Sequence, residues 1–160
     1  MTTSTPIPVE SAVGQLVAVL REAFEGPADA SWSYFADHQG GLLATLEPLS
    51  AAEASRLVGG ASIAAHAHHV SFGLEASAAW LGGDRTSRDW AESWTVTSVT
   101  DAQWQKLRDE LRARYTALRS AVERHGAGSE EAIGGAAGAV AHVAYHLGEI
   151  RQKRAVLERG

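Results

Sequence analysis

The 160-residue chain has no cysteine, which excludes disulfides, thiolate zinc sites and a cysteine nucleophile together. Any metal it holds must therefore sit on nitrogen and oxygen. It has no apolar run of membrane-spanning length, and residues 1–8 are too short and too polar for a signal peptide, so the expected compartment is the cytoplasm, with no membrane partner. Positive charge gathers only from Arg151 to Arg154, in a chain of formal net charge -5, which argues against nucleic acid as a partner. A phosphate-binding loop, a G-x-G-x-x-G before a βαβ unit, a G-x-S-x-G elbow and an internal repeat are all missing. Strand signals are nearly absent too, since Thr95 to Val99 is the only β-branched run and it is short. What remains, 45% hydrophobic and 21% charged residues, is the balance of one ordinary folded domain.

The periodicity that is present is helical. Val13, Leu16, Val17, Leu20 and Phe24 define helix one over Val9 to Phe24, stopped by Gly26-Pro27. The aromatic cluster Ser31 to Phe35 suits a hydrophobic plug at the end of a bundle. Leu42 to Leu46 fits one or two helical turns, and Ser50 to Glu53 is a capping box opening a short helix that should end at Gly59-Gly60. Helix two runs from Ser62 to Leu81 on the stripe Ile63, Ala67, Val70, Leu74 and Leu81. A long connection from Gly82 to Thr100, carrying Trp90 and Trp94, is of the kind that crosses the end of a bundle or covers a site. Thr100 caps helix three, whose stripe of Trp104, Leu107, Leu111, Tyr115, Leu118 and Val122 reaches His125-Gly126; Ser129 caps helix four. The fold expected is all-α: a single four-helix-bundle domain over 1–160, with a flexible lead-in at 1–8 and a long crossover between helices two and three.

Helix four carries two apolar rows. Ile133, Ala136, Val140, Val143, Leu147, Ile150 and Leu157 form one, and Gly134, Ala137, Ala141, Ala144 and Gly148 form a second made only of small residues. Such a helix should be covered on most sides, part of it by a second copy of the chain, so a homodimer with helix four at its interface is expected. In its remaining sector His142 and His146 point about 40° apart, one turn above the other, so both imidazoles can reach one ion. Glu149 falls in the same sector and is a candidate further ligand, partner of a ligand or catalytic base. Helix two supplies His66 and His69 on a face with Gly73, Ala76 and Trp80, small residues that would leave space with Trp80 as its wall; His68 points away and is expected in solvent. Trp80, Trp90 and Trp94 are the candidate substrate-binding residues, and His125 reads as a C-terminal helix charge. The bland alternative is that these histidines merely bond one another. Ligands must be deprotonated, so metal affinity should fall as pH drops through the histidine range near about 6.5.

Three features together, the Ser-Ile opening of helix two that ends in His69-Val70, the tryptophan-bearing crossover and the His142-x-x-x-His146-x-Gly148-Glu149-Ile150 run, resemble the DinB/YfiT-like family of four-helix-bundle metalloenzymes. The likeness extends from helix one to Arg151. It implies a zinc or nickel ion on one histidine of helix two and both of helix four, here His69, His142 and His146, with His66 a competitor for the first position. Where the family commonly has Gln, this chain has Glu149. The resemblance further implies thiol-dependent transfer to a small-molecule electrophile, with a low-molecular-weight thiol as cosubstrate, in stress or detoxification chemistry. Metal-dependent hydrolysis, or non-catalytic binding of a metal or small ligand, are the alternatives.

Overall fold

Helices form wherever the apolar period of 3.6 is accompanied by a cap, and the computed structural model, which describes residues 6–29 and 31–159, is mostly helical. Most of the expected lead-in lies outside the described residues. Helix one is α1 (Val9–Glu25), followed by the short α2 (Leu42–Leu46) and α3 (Ala51–Ser55). Helices two, three and four are α4 (Ile63–Leu81), α5 (Asp101–His125) and α6 (Glu130–Arg159). The Ser50 and Thr100 hydroxyls each accept the backbone N–H three residues on, while the side chains of Glu53 and Gln103 bond back to the cap residue's own N–H. Ser62 caps α4 through Ala65 N–H, and Ser129 caps α6 through Ala132 N–H.

The long helices enclose one core. α4 packs against α5 and α6, and α1 packs against the same two. The apolar rows expected to face inward do so: Leu20, Phe24, Ile63, Val70, Leu74, Leu111, Leu118, Leu147 and Ile150 are buried. Phe24 stacks on Tyr115 with ring centroids 4.3 Å apart. No described helix is long and apolar enough to cross a membrane.

Two expectations are corrected. The helix opened by Ser50 does not continue to Gly59-Gly60 but ends at Ser55, and Leu57–Val58 (β1) pairs antiparallel with Ala61–Ser62 (β2). Gly59 and Gly60 have φ of +59° and +89°, so they form the two-residue turn of a hairpin rather than a helix stop. Lys153 of α6, itself buried, donates to the Val58 carbonyl at 2.6 Å and ties the hairpin down. Of the aromatic cluster, Phe35 packs against the core but Trp32 and Tyr34 do not act as a plug. Trp32 is 56% and Tyr34 38% exposed, and the segment is anchored instead by the buried Glu22 carboxylate, which accepts from Ser33 Oγ and the N–H groups of Tyr34, Phe35 and Ala36. Burial opposes ionisation of Glu22, yet these donors hold its pKa at about 2. Within one chain α6 is open along its small-residue row, where Gly134, Ala137, Ala141 and Gly148 are exposed; this is the sector expected to meet a second copy.

The crossover from Gly82 to Thr100 lies over α4. Asp89 accepts from Ala91 N–H and opens a 3-10 turn, Trp90–Trp94. Further along, Ser62 Oγ donates to the Thr97 carbonyl at 2.7 Å and Ser55 Oγ accepts from Val99 N–H at 2.9 Å. The segment bearing Trp90 and Trp94 is thereby held against the histidine face of α4.

Candidate metal centre

His66 and His69 sit one turn apart on α4, His142 and His146 one turn apart on α6, and the direct packing of these helices brings all four imidazoles together. His69, His142 and His146 each offer a nitrogen within 4.8 Å of the other two, a group able to hold a metal ion. His142 Nε2 lies 2.9 Å from His69 Nε2. Gly73 permits this approach, since a β-carbon there would stand 2.7 Å from His142 Cε1. The space that Gly73 was expected to leave open beside the α4 histidines is therefore filled by a third imidazole.

Hydrogen bonds determine how these rings are presented. Ser93, with no exposed surface, has its hydroxyl 2.6 Å from the Trp90 carbonyl and 2.7 Å from His69 Nδ1. A carbonyl only accepts, so the single hydroxyl proton goes to Trp90, and His69 must donate from Nδ1. Its Nε2 is left as an unprotonated lone pair aimed at His142, which is the form a metal ligand requires. The Ser93 carbonyl accepts from His68 Nδ1 at 2.8 Å, so His68 is half-buried and bonded rather than in solvent as expected. His66 is buried as well, its Nδ1 2.9 Å from His146 Nδ1. With that nitrogen engaged, His146 has Nε2 free. His69 therefore belongs to the three-nitrogen group, while His66 lies outside it and bonds to Nδ1 of His146.

Burial pushes all four imidazoles below their ordinary range, His69 to about 4 and His146 to about 3, with the neighbouring imidazoles adding to the effect. For His66 the Lys153 ammonium adds to burial, while Glu149 acts the other way. The rings are neutral at pH 7. Proton competition with a metal, expected near 6.5 from the ordinary histidine value, therefore moves to more acidic pH. A nitrogen-only set of neutral imidazoles, with His69 Nε2 unprotonated and accepting from His142 Nε2–H, suits a divalent transition-metal ion.

The other candidates are distributed around this group. Glu149 is half-buried and close enough to influence His66, but among the described residues no hydrogen bond links it to any of the four histidines. Trp94 stacks on His69, with centroids 4.2 Å apart and planes within 19°, and presents its edge to His66. Trp90 lies 6.0 Å from the His69 ring and 6.4 Å from that of His142. Trp80 is away from the histidines, packed on Gly135 of α6, and with Trp90 and Ala76 it lines a cavity of about 370 Å³. His125 is exposed at the end of α5. Ser93 is the site residue that sequence reasoning missed: a lone serine between two tryptophans in a connection carries no periodic signal. No family model matches this chain, and neither does any curated protein or solved structure.

Proposed function

We propose that the chain is a metal-dependent enzyme of the DinB/YfiT-like kind, a four-helix bundle with a long crossover, in which His69, His142 and His146 bind one zinc or nickel ion. We further propose thiol-dependent S-transfer to a small electrophile, in cytoplasmic stress or detoxification chemistry. One observation carries the proposal. Three neutral imidazoles from two helices converge beside Trp90, which also lines a cavity of small-molecule size, and His69 and His146 are held by bonds at their Nδ1 atoms.

A divalent ion held there supplies the positive charge that lowers a thiol's pKa toward neutrality. The chain contributes no thiol of its own, so the nucleophile enters with a low-molecular-weight cosubstrate. Ser93 and His66 hold the ligand rings against rotation. Trp94 covers His69 and keeps water from that side of the group. Trp90 stands between the histidines and the cavity and positions whatever fills it.

Hydrolysis ranks second because it calls for a protein base beside the ion. Glu149 is the carboxylate expected in that role, and it bonds to none of the histidines among the described residues. Thiol transfer needs no such base. The test is to incubate purified protein with a small aryl halide and a panel of low-molecular-weight thiols. Thiol-dependent loss of the electrophile, abolished by chelation and restored by added zinc or nickel, supports transfer. Turnover that persists without thiol points to hydrolysis, and no turnover on a fully metal-loaded protein removes the catalytic claim.

A further inference from the structure

The cavity that shares Trp90 with the histidine group has a chemistry of its own. Its walls are mainly apolar, from Ala76, Ala79, Trp80 and Trp90, and three charged side chains, Asp84, Arg85 and Arg88, also line it. Asp84 is satisfied, since one carboxylate oxygen lies 3.3 Å from Arg88 and the other accepts from Thr86 N–H. Arg88 is in turn shared with Glu75 at 3.5 Å. Arg85 is different. Its guanidinium lies 4.5 Å from the Trp80 ring centroid and donates to the backbone carbonyls of Trp80 and Asp84, with no carboxylate in ion-pair range among the described residues. A chain of net charge -5 thus presents one uncompensated cation on an apolar, tryptophan-lined wall. Trp80, held between Gly135 and Arg85, is a fixed surface. Trp90, 49% exposed, is the aromatic surface open to a ligand.

We infer that this cavity binds a small aromatic carboxylate, its ring against Trp90 and the Ala76 to Trp80 wall and its carboxylate on Arg85. An apolar body needs an apolar wall, an anion needs the unpaired guanidinium, and about 370 Å³ fits one or two fused rings rather than a peptide. Trp90 also flanks His69 and His142, so the cavity and the histidine group share one aromatic wall. That the ligand is the electrophilic substrate rests on the proposed function; that the cavity binds it does not.

The test is calorimetric titration of the metal-free full chain with 2-naphthoate and with its neutral counterpart 2-naphthamide. The acid should bind at least about tenfold more tightly than the amide. Arg85→Gln, at an exposed position where folding is checked by circular dichroism, should bring the two within about twofold while leaving the amide unchanged. Trp90→Ala should weaken both. Equal affinity for acid and amide in the wild type, no binding of either, or a preference retained in Arg85→Gln overturns the inference. Repeating the titration after adding zinc separates the two claims. Naphthoate binding in a protein that takes up no zinc leaves the cavity assignment standing and removes the metal-dependent function, whereas zinc uptake without naphthoate binding does the reverse.

Discussion

Ser93 bonds to two histidines at once, through its hydroxyl and its carbonyl. Replacing it with alanine removes only the hydroxyl, so His68 keeps its acceptor while His69 loses the partner that fixes its tautomer. Zinc affinity of Ser93→Ala should fall by about 10- to 100-fold, read by competition with a chromogenic chelator, and an unchanged affinity would mean that His69 needs no such orientation. Sequence spacing was sufficient to pair His142 with His146, because i and i+4 share a face on any helix. It could not rank His66 against His69, which share a face equally well; the ranking depends on which nitrogen each ring spends on a neighbour. The depressed pKa values have a further consequence. His69 and His146 titrate near 4 and 3 when folded but near about 6.5 when unfolded. Between those values the unfolded chain binds more protons, so stability is highest above about pH 6.5 and declines as pH falls toward 4 and 3, by at most about 1.4 kcal/mol per pH unit for each ring. The urea midpoint of the metal-free protein should therefore drop between pH 7.5 and pH 5, and less so in His146→Leu. A midpoint that does not move would show that these rings titrate normally.

Among the elements, α4 depends on a residue with two tasks. Ser62 Oγ accepts the Ala65 N–H at the helix start and donates to the Thr97 carbonyl of the crossover. Ser62→Ala should cost about 1–2 kcal/mol, more than the loss of a solvent-exposed cap, because a buried pairing to the crossover goes with it. Urea denaturation measures this, and a cost within about 0.5 kcal/mol would show that the crossover is not anchored there. The long helices were legible from the sequence because each sustains its apolar period, and in three of them a cap agrees with it, at Ser62, Thr100 and Ser129. The hairpin was not. Strands of two residues are shorter than any alternation that could reveal them, and Gly59-Gly60 serves a helix stop and a hairpin turn equally. The 3-10 turn at Trp90–Trp94 was hidden in the same way, since its only local mark is the Asp89 cap.

At the scale of the whole molecule, the outer face of α6 is open. A β-carbon at Gly134, Gly138 or Gly148 would meet nothing within 4 Å, and Tyr145 and Val156 on the same face are 64% and 46% exposed. Small residues let a second helix approach closely, and Tyr145 and Val156 supply apolar area to bury, in keeping with the homodimer proposed from the row itself. Sedimentation at micromolar concentration should show a dimer for the wild type and a shift toward monomer for Ala141→Leu; a wild-type monomer would end that proposal without touching the metal centre. The metal centre is tested most directly by calorimetric titration of the chelator-treated full chain with zinc chloride at pH 7. One equivalent should bind per chain in the wild type and in His125→Ala, and none of comparable affinity in His69→Ala, His142→Ala or His146→Ala. A wild type that takes up no zinc, or uptake that survives all three substitutions, would contradict the assignment.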